Sequence, residues 1–307
     1  MIVHVVIVTY NGMNWLKNCL DSVLNSSIPL KVVVVDNNSS DSTVSFIKNN
    51  YSEIVLVAQT TNLGFGAANN LGISYALNNS SDFIFLLNQD TFLYPETIER
   101  LIEVSLKNKE FGVISPIHLN GLGNDFDLNF LNYMQKNTKI LFEAFKNNFS
   151  KSIYEVPFVN AAAWLLPRKT IETVGGFDPL FFHYGEDDNY CQRILFHKFK
   201  VGVVPGTYIN HDRECSQEKR LLSSSEKLSL RERYLKTSWA NINLEVDMLN
   251  KPKSLKKLIF KLILKLKLKK ANYYIKEYQL MKGIIPRILK SREINTKVNT
   301  HYLSIDE

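Results

Sequence analysis

Cysteine is scarce in this sequence: Cys19, Cys191 and Cys215 are the only three in 307 residues, widely spaced and without a C-x-x-C pair. That excludes a disulfide framework or a zinc-ribbon site and predicts reduced thiols in a cytosolic setting. No run of 18 or more uncharged apolar residues occurs, so no spanning helix is expected. The opening stretch MIVHVVIVTYN has neither a basic segment nor a small-residue cleavage site, and reads as a first strand rather than a secretory leader. The dinucleotide fingerprint G-x-G-x-x-G is missing; a lone G-x-G at Gly64 and Gly66 follows the third strand pattern rather than the first, which counts against an oxidoreductase. Positive charge is also thin over most of the chain. Residues 251–307 hold 15 Lys+Arg against 4 Asp+Glu, which leaves 22 against 26 for residues 1–250, so the formal charge of +7 belongs to the tail. The main body does not bind its ligand by general positive charge.

What is present is an alternation of strand and helix patterns over the first 115 residues. Short β-branched runs lie at 3–8, 31–36, 53–58, 82–88 and 111–115, with helical patterns near 13–25, 41–50, 66–78 and 95–108. Strands apolar on both sides, separated by helices, predict an α/β fold with a parallel sheet covered on both faces. Residues 116–156, rich in Asn and Phe, read as an irregular, partly helical insertion, and an apolar strand is expected over 156–167. The resulting division is 1–215 as the main domain (1–115 and 116–215 as its halves), 216–250 as a helical extension and 251–307 as a basic tail.

In such sheets ligands bind at the carboxyl ends of the strands. Those ends carry Thr9-Tyr10-Asn11, Asp36-Asn37-Asn38, the loop NLGFGAANN from Asn62, and Asn88-Gln89-Asp90. Turn chemistry explains part of this, since Asp41 is a plausible helix N-cap and Asn/Ser turns are common. Asp36, however, sits where an acid accepts hydrogen bonds from a base or ribose. Asp90 ends an apolar run, FIFLLNQD, and a diphosphate on a net-acidic body needs Mg²⁺ or Mn²⁺, which such a carboxylate can hold. A second acidic cluster, Glu186-Asp187-Asp188, fits a helix N-terminus, yet it is fenced by Phe181, Phe182, Tyr184 and Tyr190, surroundings that raise a carboxylate pKa and suit a general base. His211 is either a satisfied histidine or a metal ligand, and Trp164 reads as core or pocket floor.

Taken together, VVIVTYNG (5–12), VVVVDNNSSDST (32–43), NLGFGAANNLGI (62–73), FLLNQD (85–90), VGGFDPLFF (174–182), GEDDNYCQR (185–193) and YINHD (208–212) resemble the family-2 glycosyltransferases, inverting enzymes with the GT-A fold. The resemblance implies a Rossmann-like, mostly parallel sheet with flanking helices and a C-terminal helical extension. It implies that Thr9, Tyr10, Asn11, Asp36 and Asn38 cradle the nucleotide, that Asn62, Gly64, Gly66 and Asn69 line the donor loop, and that Asp90 ends a D-x-D element whose first Asp is here Asn88. His211 matches a metal ligand found in part of the family. Asp187 matches the catalytic base, although Glu186 or Asp188 could be mistaken for it, and Arg193 is expected near the site. Implied partners are a UDP- or dTDP-linked sugar and a glycan or lipid-linked glycan acceptor, as in bacterial surface polysaccharide assembly. A nucleotidyltransferase or a non-catalytic sugar-binding homologue are the competing readings.

The tail closes the sequence-level picture. From Leu255, apolar residues recur at helical spacing among seven lysines between Lys256 and Lys270, with no acid from 248 to 276. Such a helix either packs on the main domain or lies on an anionic membrane surface, which would place the protein at the inner face of the plasma membrane. Nucleic acid is not an expected partner, because aromatics are few and no recognised nucleic-acid fold is present.

Overall fold

The computed structural model describes residues 1–134, 138–146, 148–213 and 222–306; Cys215 lies outside them. Four parallel strands form first: β1 (Val3–Thr9), β2 (Lys31–Asp36), β3 (Val55–Ala58) and β4 (Phe83–Asn88). Strand periodicity sends Val3, Val5 and Ile7 into one core with α1 (Leu16–Leu24) and α4 (Thr97–Lys107). It sends Val6, Ile84 and Leu86 into the opposite core with α3 (Phe65–Asn78), α7 (Arg168–Val174) and α8 (Glu186–Phe196). Burial on both faces is why these strands are near-continuous apolar runs. The helix α2 (Thr43–Asn50) starts beside Asp41, whose carboxylate accepts from the Thr43 N–H at 3.0 Å.

The remaining strands are β5 (Thr91–Leu93), β6 (Phe111–Asn120), β7 (Tyr154–Val156), β8 (Ala163–Pro167) and β9 (Lys200–His211). Among the described residues they complete a nine-stranded sheet of order β3-β2-β1-β4-β8-β6-β9-β5, with β7 also on β9. β8 runs antiparallel to β4 and β6, and β5 and β7 run antiparallel to β9, so the sheet is mixed rather than wholly parallel. Two sequence boundaries shift. The strand expected over 156–167 begins only at Ala163, after an irregular stretch, and β6 continues through 116–120, which read as loop. Pro116 is tolerated there because the β6–β9 register slips between Pro116 and Ile117. Short helices α5 (Leu128–Met134) and α6 (Thr138–Phe145) fill the 116–156 region.

The C-terminal part forms α9 (Ser224–Trp239), α10 (Asn250–Leu264) and α11 (Leu268–Asn295). α9 opens with a Ser223/Glu226 capping box. Leu235 and Trp239 of α9, Leu255 of α10 and Met281, Ile284 and Ile288 of α11 share a core with Leu180 and Phe181. The end of α11 is fixed by a buried polar cluster: Ser291 Oγ and Asn295 Nδ2 donate to Asp178 Oδ2 at 2.6 and 2.7 Å. The chain then returns to the main body, where Gly176 N–H donates to the His301 carbonyl at 2.8 Å and Ser304 N–H to Ser74 Oγ at 3.0 Å. Residues 251–307 are therefore stitched to the sheet domain at their far end. Among the described residues no helix is long and apolar enough to cross a membrane. Cys19 and Cys191 are free and buried.

Candidate active site

Strand register builds the rim. Thr9 pairs with Asp36 and Val8 with Asn88, so the ends of β1, β2 and β4 finish level. A cleft opens there in two connected parts, of about 420 Å³ and about 770 Å³, which share Phe65, Asn88, Asp90 and His183. Tyr10, Asn62 and Gly64 line the first part. Glu186, Asp187 and His211 line the second together with Asp90. Asp90 and Asp187 thus face one cavity although 97 positions separate them in the sequence.

The Asp90–His211 pair is a product of sheet pairing. Thr91 of β5 pairs with His211 of β9, and the Asp212 N–H donates to the Asp90 carbonyl at 2.8 Å. His211 Nε2 consequently lies 3.3 Å from Asp90 Oδ1. Behind the ring, Asp127 Oδ2 lies 3.9 Å from Nδ1, and Arg213 Nε donates to Nδ1 at 3.2 Å while pairing with Asp127 at 3.2 Å. Asp127 itself accepts the Phe130 N–H at 2.8 Å at the start of α5, which holds its carboxylate in place. A carboxylate and an imidazole side by side form a donor set that fits a divalent cation completed by substrate phosphates. Among the described residues no group of three or more His, Cys, Asp or Glu side chains is arranged to hold a metal.

The acidic triplet opens α8 behind Gly185, which takes φ 95°. Glu186 is 5% exposed, and burial, then the Asp187 charge, push its carboxyl up to about 7. One of its oxygens has no hydrogen-bond partner. Asp187 is also raised, by desolvation, but the N–H groups of Asp188, Asp187 and Ala161 and the Arg213 charge pull against that. Burial, then Asp187, carries Asp188 to about 6, with Arg233 opposing. Glu186 and Asp187 both line the cleft and both accept backbone N–H groups, and Asp187 differs in the Arg213 charge that further favours its ionised form.

Several residues expected in the site lie behind it. Trp164 is fully buried and stacks against Phe177, with Tyr190 beside it, so it is core rather than pocket floor. Arg193 does not reach the cleft: it is fully buried, with Nη1 donating to the Gly176 carbonyl at 2.6 Å and Nη2 to Val174. Its position on α8 points inward, so it braces the Gly175-Gly176 turn instead of pairing with a substrate or an acid of the site. Thr9, Asn11, Asp36, Asn38, Gly66 and Asn69 do not line either part of the cleft. They support it: Asp36 accepts from the Ser39 N–H at 3.0 Å, Asn11 Oδ1 accepts the Ser40 N–H at 2.8 Å, and Asn69 Nδ2 donates to the Phe65 carbonyl at 3.0 Å. Asn38 holds the left-handed turn at φ 68°. Asp36 keeps one oxygen without a partner. At Gly64, φ 82°, a Cβ would fall on the Phe182 carbonyl oxygen, so the close approach there is to protein backbone.

Other groups in the cleft escaped the sequence reading. Gln89 Oε1 accepts from Thr9 Oγ1 at 2.7 Å and the Tyr10 N–H at 2.9 Å, tying the ends of β1 and β4 together. A Cβ on Gly12 would collide with that same Gln89 oxygen, which accounts for glycine at that position. Asn37, rather than Asn38, faces the cleft and bonds Asn62 at 2.9 Å. Arg213 and Arg233 line the second part, so the rim holds guanidinium groups that the net charge of residues 1–250 concealed. The only sequence signal for Gln89 was its place inside the N-x-D element; nothing local marked Arg233.

The family model described as glycosyl transferase family 2 matches residues 4–175. A low-salt glycan biosynthesis hexosyltransferase of Haloferax volcanii is 22% identical over 237 residues, 75% of this chain and 74% of that protein. The dTDP-rhamnosyl transferase RfbF of Shigella flexneri is 24% identical over 217 residues, 68% of each. Other matches are local: the chondroitin synthase of Pasteurella multocida is 28% identical over 116 residues, which amount to 12% of its length. Among solved structures, S. aureus TarS 1–349 in complex with UDP-GlcNAc superposes with TM-score 0.56 at 15% identity, covering 96% of this chain and 89% of that one. The mannosyltransferase PcManGT from Pyrobaculum calidifontis, in complex with GDP-Man and Mn²⁺, gives 0.54 at 15% identity, covering 96% and 86%. At such identities the likeness is one of fold, and it is the GT-A arrangement that the sequence motifs imply. Because the matched residues run from the first strand through the turn at Gly175, more than half of the chain, the protein belongs to glycosyl transferase family 2.

Proposed function

We propose that the protein is an inverting hexosyl- or deoxyhexosyltransferase that uses a nucleoside diphosphate sugar and an acceptor hydroxyl. The observation that carries this reading is one cavity lined by both the Asp90–His211 pair and Asp187. In the proposed arrangement the nucleotide lies in the part of the cleft lined by Tyr10, Asn37 and Asn62, and the diphosphate at Asn88 and Asp90. Asp90 and His211 would hold a divalent cation, which when bound neutralises charge on the departing diphosphate. That neighbours have been solved with UDP-GlcNAc, and with GDP-Man and Mn²⁺, supports both donor class and metal. A relative named as a dTDP-rhamnosyl transferase keeps dTDP-linked sugars among the candidate donors.

Asp187 takes the proton from the acceptor hydroxyl. The freed oxygen pair attacks the anomeric carbon from the face opposite the diphosphate, the bond from that carbon to the phosphate oxygen breaks, and configuration inverts without a covalent enzyme intermediate. A raised carboxyl pKa brings the base closer to the pH at which it works, and general-base assistance of this kind contributes about 10²–10⁴-fold. Arg213, which bonds His211 and Asp127, and Arg233 line the same part of the cleft as Asp187 and add fixed positive charge there. The acceptor is proposed to be a glycan or lipid-linked glycan of a cell-surface polysaccharide, met at the cytoplasmic face of the membrane.

The test is a panel of UDP- and dTDP-sugars incubated with purified protein and Mn²⁺ or Mg²⁺, followed by release of the nucleoside diphosphate. Asp187→Asn should bind the donor as the parent does and lose about 10²-fold or more of turnover. Near-parental turnover in that variant would reject Asp187 as the base, and formation of nucleoside triphosphate and sugar 1-phosphate on addition of pyrophosphate, in place of nucleoside diphosphate, would assign the protein to nucleotidyl transfer.

A further inference from the structure

The α10–α11 hairpin presents two apolar stripes, and the fold uses only one. Leu255 and Ile259 face inward, onto the core shared with α9 and α11, and Leu262 is buried on the same side of the helix. Phe260 and Leu264 lie on the opposite side of the helix and are 65% and 69% exposed, and the stripe continues over the turn through Leu266 and Leu268, 83% and 61% exposed. Scattered surface leucines need no explanation, but a contiguous set at the tip of a projecting hairpin does. Leu266 adds a second, independent sign. It holds φ 53°, a left-handed helix-end position that glycine fills at lower cost, yet its side chain packs on almost nothing. Folding therefore does not account for a leucine there.

The charges around the stripe say what it meets. Lys256, Lys257, Lys261, Lys265, Lys267, Lys269 and Lys270 are all exposed around it, and the sequence from 248 to 276 holds no acid. Alternating leucine and lysine at 264–270 gives apolar side chains long enough to enter a lipid interface and ammonium groups placed to meet its phosphates. A second copy of this chain carries +7 overall and only −4 over residues 1–250, a weaker counter-field than a bilayer of anionic headgroups. α9 connects this surface to the cleft, because Arg233 lines the site while Leu235 and Trp239 of the same helix pack against α10 and α11.

We propose that the outer face of the α10–α11 hairpin, Phe260 with Leu264, Leu266 and Leu268 and the lysines between them, docks the protein on an anionic lipid bilayer. The proposal deepens the reading of a membrane-associated acceptor, and its test needs neither donor nor acceptor, so it fails or stands apart from the transferase chemistry. Deleting the tail is not a usable test, since Ser291, Asn295 and residues 301–304 anchor α11 and the chain end to the sheet domain. Full-length protein is instead sedimented with vesicles of phosphatidylcholine alone and with about one third phosphatidylglycerol. Binding is expected to the anionic vesicles only, and to fall when salt is raised to about 0.5 M, where charges are screened within a few ångströms.

The variants Leu264→Ser/Leu266→Ser and Leu266→Gly should each lower vesicle partitioning, the double variant about tenfold or more. Leu266→Gly should do so with an unchanged or higher melting temperature, because glycine suits that backbone conformation. Three results would overturn the proposal: no sedimentation of the parent with anionic vesicles, equal sedimentation of parent and double variant, or concentration-dependent self-association lost in the double variant without vesicle binding, which would assign the face to a second copy.

Discussion

Replacing Glu186 by Gln tests whether the second cavity is the desolvated acidic pocket described above. Glu186 is buried with one carboxylate oxygen unpartnered, and its carboxyl stands near 7 against an ordinary 4.5. Because the folded pKa lies above the unfolded one, the native state keeps a proton that the unfolded chain has released between those two values. Stability contributed by this residue is therefore greatest below pH 4.5 and falls as pH rises toward 7. The difference between the two pKa values corresponds to about 3 kcal/mol of destabilisation above pH 7 and about half of that at pH 5.5. Glutamine carries one donor group and one acceptor, as the protonated acid does, and never pays the ionisation cost. Urea titrations of parent and Glu186→Gln should coincide near pH 4.5 and diverge upward, with the variant more stable by up to about 3 kcal/mol at pH 8. A gap that does not change with pH, or a variant that is less stable at pH 8, would refute the argument and mean that solvent reaches Glu186.

Three further outcomes follow from the same geometry. Asp90→Ala and His211→Ala should each raise the Mn²⁺ or Mg²⁺ concentration needed for half-maximal turnover by about 10-fold or more, measured by metal titration at saturating donor. Arg193→Met should cost about 2–4 kcal/mol in a urea melt, since the carbonyls of Val174 and Gly176 lose buried donors, while donor affinity of the folded fraction stays at the parental value. Asp178→Ala removes the acceptor for Ser291, Asn295 and the Leu180 N–H and should destabilise by a similar amount, about 2–4 kcal/mol, with limited proteolysis cutting first in α11.

The sequence by itself determined the first four strands of the sheet. Strands buried on both faces must be apolar at nearly every position, so β1, β2 and β4 were legible as runs. Their polar ends were legible for the same reason, since a run that stops at Asn88 or Asp36 stops where the sheet does. Local chemistry also marked the Glu186–Asp188 triplet, because three acids beside aromatic residues are conspicuous wherever they fold. Tertiary structure decided what those residues meet. His211 reaches Asp90 only because β5 and β9 pair antiparallel, and Arg233 enters the cleft only because α9 folds back over it. Arg193 sits three residues after Tyr190 in a motif rich in site residues, yet the helical turn aims it into the core. The tail pattern likewise fixed an amphipathic helix but not its use: composition shows lysines and leucines, and only packing shows that Leu255 and Leu262 are taken by the protein while Leu264 and Leu266 are left outside. A sequence states which side chains one element offers to its faces, whereas the partner of each face is set by contacts between segments far apart in the chain.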